Sequence, residues 1–289
     1  MKQGDLVVRK SYGKDMIFRV VGIVGHRALL RGTDYRLLAD APLSDLEQVC
    51  DPDEIGEAKK AKTYANESIR RMQEQSFRQV ERAGILAGLP DRPSFFEWPG
   101  KVLHLDGDGN YLRKSLQVYG RLRVSAEGLH CHESQMPHLL MQLLPQIRPD
   151  IVVITGHDGV LKQQRDSQHL GSYKNSLNFV NAVRVAREYE RHKDGLIVVA
   201  GACQSHFEAL MEAGANFASS PARIMIHALD PVYIAIRSAY TPFRETIHVT
   251  DVISGTIGGM RGFGGIETAG TYRMGVPNKN GQAKNVNIV

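Results

Sequence analysis

Two positions in this chain carry side chains suited to nucleophilic chemistry in matching surroundings. In Leu196-Ile-Val-Val-Ala-Gly-Ala-Cys203 an apolar run meets Gly201 and then a cysteine; in Asp150-Ile-Val-Val-Ile-Thr-Gly-His157 an apolar run meets a glycine and then a histidine. A thiol attacks as its thiolate, and imidazole is the side chain whose ordinary pKa lets it take and return a proton near neutral pH. Together they offer hydrolysis of an acyl bond through a covalent thioester.

That chemistry requires elements that bring the two groups together. Each apolar run reads as a parallel strand covered on both faces. In open α/β sheets functional groups collect outside the carboxyl ends of the strands, so neighbouring strands ending in His157 and Cys203 would set imidazole beside thiol. Residues 204–213 read as a helix, and its N-terminal dipole would favour a thiolate at Cys203. The 46 residues between the two leave room for one crossover helix. Caspase-type peptidases carry their histidine about 50 residues ahead of a Gln-Ala-Cys signature, which Gly-Ala-Cys-Gln204 approaches. The competing reading of Cys203 is a small buried residue in a packed turn, because free cysteine is among the most buried types. Cys131, inside an expected strand, and Cys50, near a domain edge, stay with that reading.

Attack on a carbonyl also needs donors for the oxyanion. The backbone N–H groups of Cys203 and of the residue after His157 are the candidates, with Gly201 ending one strand and Asp158-Gly159 following the histidine. Asp158 would either orient His157 or bind a basic group of the substrate. His206 lies two residues past Cys203 on a helix leading away, where capping or packing suits it better than the role of base. His130-Cys131-His132 resembles a metal-binding tract but lacks a second ligand cluster.

Four stretches together resemble the YabG family: Lys101-Val-Leu-His-Leu-Asp-Gly-Asp108, Ile154-Thr-Gly-His-Asp158, Ala200-Gly-Ala-Cys-Gln-Ser-His-Phe-Glu208 and Gly214-Ala-Asn-Phe-Ala-Ser-Ser-Pro221. The resemblance spans nearly the whole chain. It implies a sporulation-specific cysteine peptidase of the mother cell, and then of the spore coat, that cuts spore coat and other spore-associated proteins, and itself. It also implies a caspase-like α/β fold and no cofactor. Caspase-like peptidases place a glycine directly after the histidine, where this chain has Asp158, and that departure bears on the second oxyanion donor. In such sheets the end of the first strand lines the primary specificity pocket. Asp106 and Asp108 are therefore expected to bind substrate, selecting arginine or lysine before the scissile bond, with Gln204, Ser219 and Ser220 also in the cleft. Clostripain-like relatives instead place the arginine-selecting acid two residues before the cysteine, which here is Gly201. For Ser219, Ser220 and Asp230, ordinary turn residues are the competing reading.

Asp106-Gly-Asp-Gly109 also resembles the nucleophile motif of Mg²⁺-dependent haloacid-dehalogenase-type phosphatases. No convincing late acidic pair follows residue 150 to complete such a site. A coat scaffold without activity is the non-enzymatic alternative.

The 289 residues, 42% hydrophobic and 23% charged, suit one sizeable soluble domain plus a small one. No signal-peptide pattern and no apolar run of about 18 residues occurs, so neither export nor a membrane partner is expected. Three widely spaced cysteines fit a reducing compartment better than a disulfide framework. A net charge of +5 without a dense basic block argues against nucleic acid as a partner. Oligomeric state is not legible.

Residues 1–50 alternate β-prone runs with turn signals at Gly13, Gly25 and Gly32, predicting a small SH3- or Tudor-like barrel. Residues 51–99 are expected to be a linking helix, from Asp53 to about Gly84, and a loop around Trp98 that is open to proteolytic cutting. Residues 100–277 repeat strand and helix, predicting a caspase-like α/β domain with a mostly parallel sheet and helices on both faces. Within it, Val232-Tyr-Ile-Ala-Ile236 reads as a strand, 246–254 as a helix, Gly258–Gly265 as a mobile loop and Ile266–Met274 as an edge strand. Residues 278–289 read as a polar tail.

Overall fold

The computed structural model describes residues 1–49, 67, 96–161 and 168–275. Cys50, the expected linking helix, the loop before Phe96 and the polar tail lie outside the described residues.

The N-terminal strands are β1 (Leu6–Arg9), β2 (Phe18–Val24), β3 (Arg27–Gly32), β4 (Leu38–Pro42) and β5 (Leu46–Gln48). They form one antiparallel sheet in the order β4-β3-β2-β1-β5. Alternation along β2 and β3 turns Phe18, Val20, Ala28 and Leu30 inward, where they meet Val7, Ala41 and Leu46 in a core of their own. Gly25, at φ +58°, makes the tight turn between β2 and β3. A short strand β6 (Phe96–Trp98) follows the undescribed stretch and carries Trp98 exposed at the surface.

The larger unit starts with β7 (Val102–Asp106), α1 (Gly109–Arg121), β8 (Ala126–His130), α2 (Met136–Ile147), β9 (Ile151–Thr155), α3 (Ser176–Tyr189) and β10 (Ile197–Ala200). It continues with α4 (Phe207–Glu212), β11 (Phe217–Ser219), α5 (Asp230–Tyr240), β12 (Thr246–Ile247), α6 (Val249–Ser254), α7 (Gly259–Gly262) and β13 (Phe263–Gly265). Six strands join in the order β8-β7-β9-β10-β11-β13, all parallel except the antiparallel edge strand β13. Alternate residues of the central strands feed two cores. Val102, Val153 and Val199 pack with Tyr119, Val232 and Ile236 on one face. Leu103, Val152 and Val198 pack with Leu140, Phe179 and Val183 on the other. Burial on both faces is why these strands read as unbroken apolar runs.

Three expectations are corrected. Val232–Ile236 lies within helix α5, not a strand: Asp230 and Pro231 occupy its first turn, and its residues are buried all round, which erases the helical period that would have identified it. The edge strand is β13, within the expected mobile loop, while 266–274 contributes only β14 (Thr268–Ala269) and part of β15 (Arg273–Gly275). The predicted helix 246–254 begins instead as the strand β12.

This strand order reverses direction between β7 and β9, creating a crevice at their carboxyl ends. Ile151–Ile154 pair in register with Ile197–Ala200, so β9 and β10 finish at the same level. Among the described residues no helix is long and apolar enough to cross a membrane.

Candidate active site

The cysteine loop leaves β10 through Gly201, at φ +104°. A Cβ there would lie 2.3 Å from Ser219 Oγ and 2.9 Å from Leu210 Cδ1, so only glycine fits. Thr155 Oγ1 donates to the Gly201 carbonyl at 2.9 Å, tying this loop to the end of β9. Ser219 Oγ donates to the Ala202 carbonyl at 2.7 Å, and Ser220 Oγ accepts from the Gln204 N–H at 3.0 Å. Both serines are fully buried, and their hydroxyls donate to backbone carbonyls of this region. Gln204 holds the left-handed conformation at φ +56° and also donates its N–H to the Ile224 carbonyl at 3.0 Å.

At the tip, Cys203 is only 2% exposed. Its Sγ accepts the Ile226 N–H at 3.3 Å. Burial pushes the thiol up to about 11, against the opposing pull of that N–H. As folded here, the thiol is neutral and covered.

His157 Nε2 lies 3.0 Å from Asp108 Oδ2. Asp108 also caps α1, accepting N–H groups from Asn110 and Tyr111, and its carboxylate is 2.8 Å from Arg31 Nε of strand β3. Burial works to raise its pKa, but the His157, Asn110 and Arg31 contacts outweigh it and hold the group below the ordinary range. An ionised carboxylate only accepts, so the proton of the neutral ring sits on Nε2 and the lone pair on Nδ1. Nδ1 is buried and has no hydrogen-bond partner. Asp108, expected to bind substrate, thus lies within hydrogen-bonding distance of the His157 ring.

The two loops are fastened to each other through Asp158. Its carboxylate receives the N–H groups of Gly159 and Asn175 at 2.9 and 2.8 Å, and the hydroxyls of Ser176 and Ser205. Burial raises its pKa against those four bonds. Its bonds run to the loop backbone and to Ser205, two residues past the cysteine, and not to the His157 ring. A Cβ on Gly159 would sit 3.3 Å from Gln204 Oε1, so the two loops abut. The loops meet, yet no hydrogen bond joins Cys203 to His157; the thiol bonds to Ile226 instead. Among the hydrogen bonds of the described residues, the backbone N–H groups of Cys203 and Asp158 have no acceptor. These are the two donors expected to meet an oxyanion.

Asp106 is fully buried and bidentate with Arg36, Nη1 to Oδ1 and Nη2 to Oδ2 both at 2.8 Å. Its Oδ1 also accepts the Asp108 N–H at 2.9 Å, and His104 Nε2 lies 3.5 Å from Oδ2. Burial would raise its pKa, but Arg36 and His104 override that and hold it far below the carboxylate range. Both oxygens are thus committed, which disfavours the phosphatase reading of Asp106 as a nucleophile. Among the described residues no group of three or more His, Cys, Asp and Glu side chains is placed to hold a metal ion. His206 caps α4 by accepting the Ala209 N–H at 3.3 Å. Asp230 is buried and accepts the Ile257 and Gly258 N–H groups at 2.8 and 3.0 Å, tying α5 to the loop that leads into α7.

Three residues escape a reading of the sequence. Arg31 and Arg36 come from the N-terminal sheet, and nothing in their local pattern points to a crevice about 70 residues away in a chain where long-range pairing is set by topology. Glu133 Oε1 accepts the His157 N–H at 2.9 Å. Its signal lies in two glycines: a Cβ at Gly107 or Gly156 would fall 2.2 or 2.5 Å from that oxygen.

The sequence model of the family described as YabG peptidase U57 matches residues 2–277. The sporulation-specific protease YabG of Bacillus subtilis (strain 168) is 44% identical over 283 residues, covering 96% of this chain and 98% of its own. No solved structure matches.

Proposed function

Because this chain belongs to the YabG peptidase U57 family, we propose that it is a sporulation-specific cysteine endopeptidase in which Cys203 is the nucleophile and His157 the base. The observation that carries the reading is the His157 ring: Asp108 holds Nε2, leaving a buried, unpartnered Nδ1 at the end of the strand beside the one that leads to Cys203.

With substrate in place, Nδ1 takes the Cys203 proton and the sulfur adds to the peptide carbonyl carbon. The free N–H groups of Cys203 and Asp158 are suited to the resulting oxyanion. The imidazolium returns the proton to the leaving amine as the C–N bond breaks, leaving a thioester and a free amine. His157 then draws a proton from water, hydroxide adds to the thioester, and the carboxylic product leaves as the thiol is reprotonated. Asp108 remains ionised throughout and stabilises the imidazolium.

In this reading the six-stranded sheet is a caspase-like peptidase domain and the five-stranded sheet an SH3-like barrel. Spore coat and other spore-associated proteins, and the chain itself, are the substrates, met in the mother cell and then at the coat. Asp106 ends β7 and pairs with a guanidinium through both carboxylate oxygens, which supports a preference for arginine before the scissile bond. Peptidyl-amide substrates differing only in that residue test the reading. Arginyl substrate is expected to be cleaved at least about tenfold faster than leucyl, the discrimination a buried carboxylate supplies over an apolar contact. Iodoacetamide should stop turnover and EDTA leave it unchanged. Equal rates across the set would remove the basic pocket, and loss of activity in EDTA alone would remove the thiol mechanism.

A further inference from the structure

The chain's own loop between β3 and β4, residues 33–37, lies against the segment 226–228 that bonds the Cys203 sulfur. Its backbone meets 226–228 through one antiparallel bridge: the Ala228 N–H donates to the Asp34 carbonyl at 2.7 Å, Tyr35 bridges His227, and the Arg36 N–H lies 3.5 Å from the Ile226 carbonyl. Ile226 is the residue whose N–H binds the Cys203 sulfur, so loop and thiol share one short segment. Arg36 acts on that thiol both through its backbone and through its charge. Its guanidinium is fully buried, bidentate on Asp106, and 4.9 Å from the centre of the Tyr111 ring. The Tyr111 hydroxyl lies 2.6 Å from the carbonyl oxygens of Gly32 and Tyr35, pinning the loop's base.

Extended pairing of backbone to a rim segment, with alternate side chains filling pockets, is how a peptide strand is recognised. Here that peptide is internal. We propose that Asp34-Tyr35-Arg36 is an intramolecular pseudosubstrate that covers the site at rest, with Arg36 in the pocket of a basic substrate residue, and is displaced during turnover, so that it slows the peptidase without abolishing it; this rests on reading Cys203 as the nucleophile. The loop also carries a reason for surviving its position. The Leu37 N–H turns back to the Tyr35 carbonyl at 2.7 Å, a three-residue turn centred on Arg36. The chain therefore bends at the very peptide a nucleophile would attack, and an extended scissile bond is not presented. Displacing the loop uncovers the thiol, the 226–228 rim and Asp106 together, so one movement frees nucleophile and pocket alike. Arg31, next to the loop on β3, joins Asp108 to the same sheet, and its release accompanies the opening.

The test is the rate at which iodoacetamide alkylates Cys203 in the full chain, read by peptide mass mapping in wild type and Arg36→Gln, with Cys131 as the internal reference for intact folding. Arg36→Gln is expected to raise alkylation at Cys203 at least tenfold while Cys131 is unchanged. A folded Arg36→Gln whose Cys203 reacts no faster than in wild type overturns the proposal. Should that variant fail to fold, Tyr35→Ala decides on the same two outcomes, because it removes the ring packed edge-on against His227 without leaving a charge unpaired. Alkylation needs no peptidase activity. If Cys203 becomes reactive in the variant but arginyl-peptide hydrolysis does not rise with it, the loop's covering role stands and the catalytic reading fails.

Discussion

Cys203→Ala is expected to lower hydrolysis of an arginyl peptide by roughly 10⁴- to 10⁶-fold, since the covalent route is lost and only binding and oxyanion donors remain. That is about 5–8 kcal/mol of transition-state stabilisation at 1.36 kcal/mol per decade. His157→Ala should fall within the same range, and the double variant little further, because nucleophile and base act as one unit. The fold should persist. Sulfur removal leaves a small void and frees the Ile226 N–H from a weak acceptor. It should even remove a liability at high pH. The folded thiol titrates at about 11 against an ordinary 9.0, so its contribution to stability is complete below pH 9 and is lost as pH rises through 11. Wild type should lose denaturation midpoint over that window and Cys203→Ala should lose less, measured by chemical denaturation at pH 8 and pH 11. Activity within tenfold of wild type in Cys203→Ala would end the thiol account.

Asp108→Asn is the second substitution with a large expected effect. Asparagine caps helices as well as aspartate does, so the start of α1 should survive and the melting point should move little. Its catalytic consequence is different in kind. A carboxylate can only accept from His157 Nε2, whereas an amide can present either oxygen or NH₂, and so no longer fixes the lone pair on Nδ1 or stabilises an imidazolium. Turnover should drop about 10²- to 10⁴-fold, the scale seen when the orienting acid of a catalytic triad is neutralised. An Asp108 that acts through the His157 ring should leave KM close to wild type while kcat carries the loss. A purely structural Asp108 would instead lower the melting point and leave kcat per folded molecule unchanged.

The sheet was legible because its strands are buried on both faces. Ile151–Thr155 and Ile197–Ala200 are unbroken apolar runs ended by Gly156 and Gly201, and they lie side by side and parallel. The same rule misread α5. A helix buried all round loses its polar stripe, and Val232-Tyr-Ile-Ala-Ile236 then has the composition of a strand. Within the site, candidate residues were identifiable where chemistry and local backbone coincide, as at Cys203 and His157. Assigning partners was harder. Asp158 adjoins the histidine in sequence, yet its carboxylate serves loop hydroxyls and N–H groups, while the ring bonds Asp108 from another strand's end. Arg36 was invisible for a related reason: it lies in a β-prone run of the small sheet, and only the docking of that sheet carries it onto Asp106.

The measurement that reaches the central claim most directly is capture of the covalent intermediate. A peptidyl-arginyl ester is mixed with the full-length protein, quenched in acid within the first turnovers, and the acylated residue located by mass spectrometry. The account predicts a thioester at Cys203 that accumulates with an early burst of alcohol release, decays on dilution, and is absent from both Cys203→Ala and His157→Ala. Hydrolysis that proceeds with the acyl group on another residue, or that continues in Cys203→Ala with no acyl-enzyme at all, would contradict it.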